Sequence, residues 1–417
     1  MKNRKSFWGG VLTGILAVAL LAGGVYLGNS VWLFYSRTQN VAVQESAEGV
    51  SENTVATQNT LNKLDVIEET IEKYYLESVD EQTLEDGIYK GLVEALGDPY
   101  STYYAPDELA KIQEKTEGIY YGIGAYIGID TDTSLPRLSG IIDGTPAQES
   151  GLRAGDLIYQ VDGTDVQGME LEEVTSLVKG EEGTTVHLTI IREGESDYLE
   201  MDVVRRQVES PTVNQEMLDD RIGYIQITEF DTVTLDQFTE ALAVCRGKGM
   251  KGLILDLRGN PGGNLSTVCD IARQLLPEGL IVYTEDKNGK RTEYSCDGKH
   301  EITEELVVLV DSGSASASEI LAGAVKDYGI GTLVGTTTYG KGIVQRIISL
   351  TDGSAVKLTV SHYYTPNGNN IHQVGIEPDI EIPFDGDAYY NNGVDNQLEK
   401  AVELMNEKLG AAGGTDR

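Results

Sequence analysis

From residue 208 onward the chain alternates between two hydrophobic periods, and this constrains its fold more than any other feature. Ile222-Gly-Tyr-Ile-Gln-Ile227 reads as a strand. Thr234 to Arg246 follows with helical spacing, with Leu235, Phe238, Leu242 and Cys245 on one face and Thr234 and Gln237 in capping-box positions. Gly252-Leu-Ile-Leu-Asp-Leu257 and Leu306-Val-Val-Leu-Val310 are short apolar runs of the kind buried on both faces of a sheet. Helices are expected over Leu265–Leu276, from about Ser316 to Tyr328, and over Asp395–Lys408. The pattern predicts an α/β core with mostly parallel strands.

Upstream the character changes. Residues 59–116 carry helical spacing, through Leu61, Leu64, Ile67 and Ile71 and then Ile88, Leu92 and Leu96, broken by Gly97-Asp-Pro-Tyr100. Residues 117–207 hold short β-rich runs, such as Thr185–Ile191 and Tyr198–Val204, separated by turn signals. The expected organisation is a basic tip with an apolar segment over 1–37 and a polar linker over 38–58. A helical region follows over 59–116, then a β-rich domain over 117–207, an α/β core over 208–385, and a C-terminal helix and tail over 386–417.

The N-terminal segment points to a compartment. Met1-Lys-Asn-Arg-Lys5 is basic, and no charge follows from Ser6 to Ser36. A helix of about 20 such residues crosses the roughly 30 Å hydrocarbon layer. The basic flank stays cytoplasmic, which puts the remainder outside as a single-pass anchored protein. The rival is a secreted protein whose signal peptide is cleaved near Ala17-Val-Ala19. A net charge of −35 excludes nucleic acid and anionic headgroups as partners of the main body. Three irregularly spaced cysteines form no disulfide framework and no zinc pattern.

Two stretches carry the chemistry. Asp311-Ser-Gly-Ser-Ala-Ser-Ala-Ser-Glu319 places serines where a strand gives way to a helix, so unpaired N–H groups and the positive dipole end lie nearby. Ser312, Ser314, Ser316 and Ser318 all compete for the role of nucleophile. Thr338-Tyr-Gly-Lys-Gly-Ile-Val-Gln345 offers Lys341, the one cation between Lys326 and Arg346. With four histidines in the chain and none in either stretch, a lysine is the natural base for a serine. An apolar pocket would lower its pKa toward neutrality. Extended backbone would put Lys341, Ile343 and Gln345 on one side. In Asp256-Leu-Arg-Gly-Asn-Pro-Gly-Gly263 the two final glycines free N–H groups for an oxyanion or a phosphate. Gly335–Gly342 almost matches a P-loop, but Gly342 stands where a magnesium-holding Ser or Thr is required, and a strand follows instead of a helix. No His-Glu-x-x-His run supports zinc hydrolysis, so no metal or other cofactor is expected.

With these residues in hand, the chain resembles the carboxyl-terminal processing proteases, peptidase family S41. The resemblance covers roughly residues 60–410. It rests on 97–103, 122–125, 256–263, 314–320, 338–345, Tyr-Tyr-Thr-Pro-Asn-Gly (363–368) and Gly-Ile-Glu-Pro-Asp (375–379), in the family's order. It implies a crotonase- or Clp-protease-like α/β core with an inserted PDZ domain over 117–207. It further implies Ser316 as nucleophile, Lys341 as general base and Gln345 as its support. The oxyanion donors would be the N–H of Ala317 and that of Gly262 or Gly263. Gly122-Ile123-Gly124 matches the loop that captures a substrate's terminal carboxylate. Lys179, before Gly180, stands where the family often has a regulatory arginine, and that departure puts its switching role in question. The implied activity is a serine endopeptidase acting on protein C-termini; the alternative is an inactive PDZ scaffold that kept the fold. A second copy of the chain is a candidate partner, through residues 59–116.

Overall fold

The computed structural model describes residues 54–412. The expected membrane-crossing run lies outside these residues; among the described residues no helix is long and apolar enough to cross a membrane. The described chain divides into two units. One takes in the residues up to Leu109 together with Gln345–Thr359. The other takes in Ala110–Val344 and the chain from Val360 on.

In the larger unit the apolar runs assemble into a six-stranded sheet, ordered Val213–Met217, Ile222–Ile227, Gly252–Asp256, Glu305–Val310, Thr332–Gly335 and Ile380–Glu381. The first strand is antiparallel to the second, and every later pairing is parallel. All five residues of Gly252–Asp256 are buried, as a central parallel strand requires. Phe238, Leu242 and Cys245 of the helix Thr234–Gly247 pack into the core below it. The three cysteines are buried and unpaired.

Two expectations about helix ends are corrected. Val233, not Thr234, occupies the N-cap position, and its backbone is already helical. The Thr234 hydroxyl accepts from the Asp231 N–H at 2.9 Å, while Gln237 turns away to take the Thr212 N–H at 2.8 Å. No capping box forms, because both side chains are spent on the linker that enters the core. The helix from Leu265 ends at Ala272 and continues as turns, although Leu275 and Leu276 stay buried.

The PDZ portion belongs to the same unit. Its sheet pairs Ala125–Ile129, Pro136–Ile141, Leu157–Val161, Thr185–Ile191 and Leu199–Val204 in order, over a core that includes Leu138, Ile158, Val186 and Leu188. The chain enters and leaves through the antiparallel pair Ile119–Gly122 and Arg206–Glu209.

In the smaller unit the helices Gln58–Tyr74 and Glu81–Glu94 form where periodicity predicts them. Among the described residues, nothing covers their apolar faces. Leu61, Ile67, Ile88, Leu92 and Leu96 are all exposed, and Gln58–Tyr74 buries no residue. Thr102–Tyr104 pairs antiparallel with Ala355–Lys357.

Candidate active site

The four serines differ in burial and hydrogen bonding. Ser312 is exposed. Ser314 is fully buried; its hydroxyl donates to the Leu257 carbonyl at 2.8 Å and accepts from the Asp311 N–H at 2.9 Å. Ser318, also buried, donates to the Asn260 carbonyl at 3.0 Å. Both are structural. Ser316 is half-buried and caps the helix Ala317–Tyr328 with φ 54° and ψ −111°, a backbone conformation that L side chains seldom adopt. Strain of this kind costs about 1–3 kcal/mol and is kept where a side chain must be presented at a sharp strand-to-helix turn.

Glu319 holds that turn in place. Its carboxylate is fully buried and accepts four hydrogen bonds. One oxygen takes the Thr338 hydroxyl at 2.6 Å and the Gly340 N–H at 2.7 Å. The other takes the Ser316 N–H at 2.8 Å and the Lys341 N–H at 2.9 Å. The serine and lysine backbones are therefore no further apart than the sum of those last two distances. Tyr339 N–H adds a bond to the Ser314 carbonyl at 3.0 Å. Behind the serine, the buried Tyr363 hydroxyl donates to the Ser316 carbonyl at 3.0 Å; burial, then the nearby Glu319, holds that phenol well above its ordinary pKa. Lys341 is half-buried.

The glycine loop lies against the same turn. At Gly262, with φ 106°, a Cβ would sit 2.8 Å from the Ser316 Cβ and 2.9 Å from the Ala317 nitrogen. At Gly263 it would strike the Phe230 carbonyl oxygen at 2.3 Å. Only glycine fits either place. Asn260, fully buried, organises the loop. Its amide donates to the Ile227 carbonyl at 2.8 Å and its side-chain oxygen accepts the Gly262 N–H at 2.8 Å. Its carbonyl accepts the Ala315 N–H at 3.0 Å. Ala317 opens its helix, where first-turn N–H groups have no partner within the helix.

The strand forms over Ile343–Ser349, as the run Ile343-Val-Gln345 predicts, and Lys341 sits in the tight loop before it, where Glu319 accepts its N–H. Gln345 belongs to the smaller unit, where its amide donates to the Thr359 hydroxyl at 3.4 Å. There Thr359 N–H donates to Ser101, whose hydroxyl donates to Asp98 at 2.6 Å.

A cavity of about 800 Å³ opens beside the PDZ sheet, lined among others by Gly122, Ile123, Gly124, Lys179, Glu114 and Asp231. The carbonyls of Ile123 and Gly124 accept the Ala147 and Ile142 N–H groups at 2.8 and 3.0 Å. Lys179 forms an ion pair with Glu114 and its ammonium lies 5.0 Å from the centre of the Tyr120 ring. Both partners of the pair are 41% exposed. Asp231, 5% exposed, has its pKa pushed up to about 7 by burial, then by Glu229, against a pull from Lys115.

Sequence reasoning missed Glu319, Asn260, Tyr363 and Glu114. For Glu319 the Ser-x-x-Glu spacing of a capping box was a usable signal. Among the described residues no group of three His, Cys, Asp or Glu is arranged to hold a metal ion.

Comparison with known proteins agrees with this geometry. Residues 221–382 match peptidase family S41, residues 18–108 match the N-terminal domain of activating protease CtpB, and residues 137–192 match a PDZ domain. The carboxy-terminal processing protease CtpA of Bacillus subtilis (strain 168) is 34% identical over 394 residues, covering 92% of this chain and 82% of that protein. A carboxyl-terminal-processing protease of Synechocystis is 36% identical over 320 residues, covering 75% of each. CtpB of Bacillus subtilis is 33% identical over 378 residues, covering 89% of this chain and 77% of that protein. Similarity of this extent over most of both chains makes the protein a member of the carboxy-terminal processing proteases of peptidase family S41, serine endopeptidases that carry a PDZ domain.

Proposed function

We propose that Ser316 passes its proton to the neutral amine of Lys341 as it attacks the scissile carbonyl. The N–H groups of Ala317 and Gly263 receive the oxyanion. Collapse breaks the amide bond, and the leaving amine takes the proton from Lys341. Water, activated by the same amine, then hydrolyses the acyl-Ser316 ester. One observation carries this reading: a single Glu319 oxygen accepts from both the Ser316 and the Lys341 N–H. Gly263 is preferred to Gly262 because the Gly262 N–H is already given to Asn260. A base must be neutral to act, so the rate rises with pH; a rate flat from about pH 5 to 9 contradicts the lysine assignment.

The substrate is a protein chain held by its free C-terminus, whose carboxylate enters at Gly122-Ile123-Gly124. Lys179 is the regulatory cation, and an arriving carboxylate competes with Glu114 for it. The uncharged run of residues 6–36 anchors the enzyme with its catalytic part outside the cytoplasm; a protein recovered wholly in the soluble fraction contradicts this. A second copy of the chain covers the exposed apolar faces of Gln58–Tyr74 and Glu81–Glu94. Leu61→Glu with Ile67→Glu should halve the mass measured by light scattering.

Cleavage of casein by the wild type, Ser316→Ala and Lys341→Ala proteins tests the core of the reading. Cleavage by the wild type alone is expected. Equal cleavage by all three removes the dyad, and no cleavage by any indicates a scaffold that kept the fold.

A further inference from the structure

The glycine loop is gripped from a side that plays no part in the reaction. Asp256, the last residue of its strand, is fully buried. Its carboxylate accepts the Tyr224 hydroxyl at 2.8 Å and the Arg258 N–H at 2.9 Å. Arg258 then folds back on it, with Nη2 2.6 Å from Oδ2 and Nε 3.0 Å from Oδ1. The same guanidinium reaches the C-terminal helix Asn396–Ala412. Its Nη1 and Nη2 donate to the two oxygens of Asp395 at 3.0 and 2.9 Å, and Nη1 also donates to Gln397 at 3.1 Å. Asp395 in turn accepts the N–H groups of Gln397 and Leu398 at 3.1 and 3.0 Å, the first turn of that helix. Gln397 is fixed by donation to the Ile382 carbonyl at 2.7 Å. Burial opposes the ionised form of Asp395, and the Arg258 guanidinium still holds its pKa below the ordinary carboxylate value.

Arg258 and Asn260 are two residues apart, and Asn260 sets the Gly262 N–H and meets the Ala315 N–H. We infer that Arg258 is a positioning residue for the oxyanion loop, and that the C-terminal helix, through Asp395, holds the loop in register for catalysis. The fork geometry matters. A lysine would keep the charge and lose the planar double contact to Asp395. The clamp leaves the carboxylate cavity beside the PDZ sheet untouched, so it acts on the transition state and not on substrate capture.

The inference rests on the proposed oxyanion site. The test compares wild type, Arg258→Lys, Asp395→Asn and Ser316→Ala on one peptide substrate, with a peptide aldehyde as inhibitor and thermal unfolding in parallel. A loop displaced by about 1 Å loses roughly a hundredfold in rate. Arg258→Lys should therefore lower kcat about 10- to 100-fold and Asp395→Asn about 3- to 10-fold, with KM within about twofold. The aldehyde forms a hemiacetal whose oxyanion uses the same donors, so its Ki should rise by the factor that kcat falls. A merely structural role lowers Tm and leaves kcat and Ki of the folded fraction unchanged; that result, or a loss confined to KM, overturns the inference. An active Ser316→Ala protein overturns the underlying site instead, whatever the clamp variants do.

Discussion

Two acidic side chains, Glu319 and Glu114, stand in opposite surroundings, one buried under the Ser316 turn and one half-exposed beside the PDZ sheet. Glu319 is fully buried and accepts four hydrogen bonds, from three backbone N–H groups and one hydroxyl. Glu114 is 41% exposed and holds Lys179 at the edge of an open cavity. Removing a partner from the first leaves buried donors unsatisfied, at about 1–3 kcal/mol each. Removing a partner from the second costs about 1 kcal/mol or less, because water replaces it. Buried hydrogen bonds are concentrated at the Ser316 and Lys341 backbones, and a half-exposed ion pair stands at the cavity beside the PDZ sheet.

The largest effect should come from the reacting groups. Ser316→Ala and Lys341→Ala should each lower kcat at least about 10⁴-fold, measured with a peptide substrate, because members of such a unit are not individually dispensable. Glu319→Gln comes next, at about 10²-fold in kcat. It places an NH₂ group where N–H donors converge, and the neutral, equally sized side chain should give no rescue. A Glu319→Gln enzyme with full activity would erase the contrast between the two acids.

Glu114→Gln should have a smaller effect and the opposite sign. Freed from its partner, Lys179 meets an incoming carboxylate without competition, so affinity for a peptide with a free C-terminus should rise about 2- to 5-fold by calorimetry. An amidated peptide should show no gain. Asp231→Asn should be the mildest in activity and visible in stability. Its pKa is raised to about 7 when folded, so the fold favours the neutral acid. The cost of ionising it grows as pH climbs above the ordinary carboxylate value and is complete above about 7. Asparagine removes that cost, and Tm should rise by about 2–4 °C at pH 8 with little change at pH 4.

The same contrast explains what could be read from sequence. Leu306–Val310 and the helix after it were legible because apolar runs and turn residues fix strand and helix locally. The glycines at 262 and 263 were legible because only a close approach requires them. The choice among four serines was not, since it depends on which hydroxyls meet the Leu257 and Asn260 carbonyls across the fold. The loop that carries Lys341 was legible from its glycines, but not the buried carboxylate 22 residues earlier that accepts the Lys341 N–H. In the first two helices the periodicity located the helices, and the apolar side chains it singled out, such as Leu61, Ile67 and Leu92, are exposed among the described residues.

The account stands on Ser316 as the group that attacks, with Lys341 as its base. Labelling the intact enzyme with a fluorophosphonate and mapping the adduct by mass spectrometry tests this directly. The adduct should sit on Ser316, vanish in Ser316→Ala and become far slower to form in Lys341→Ala. An adduct on Ser312, Ser314 or Ser318 in the wild type, or undiminished labelling without Lys341, would contradict it.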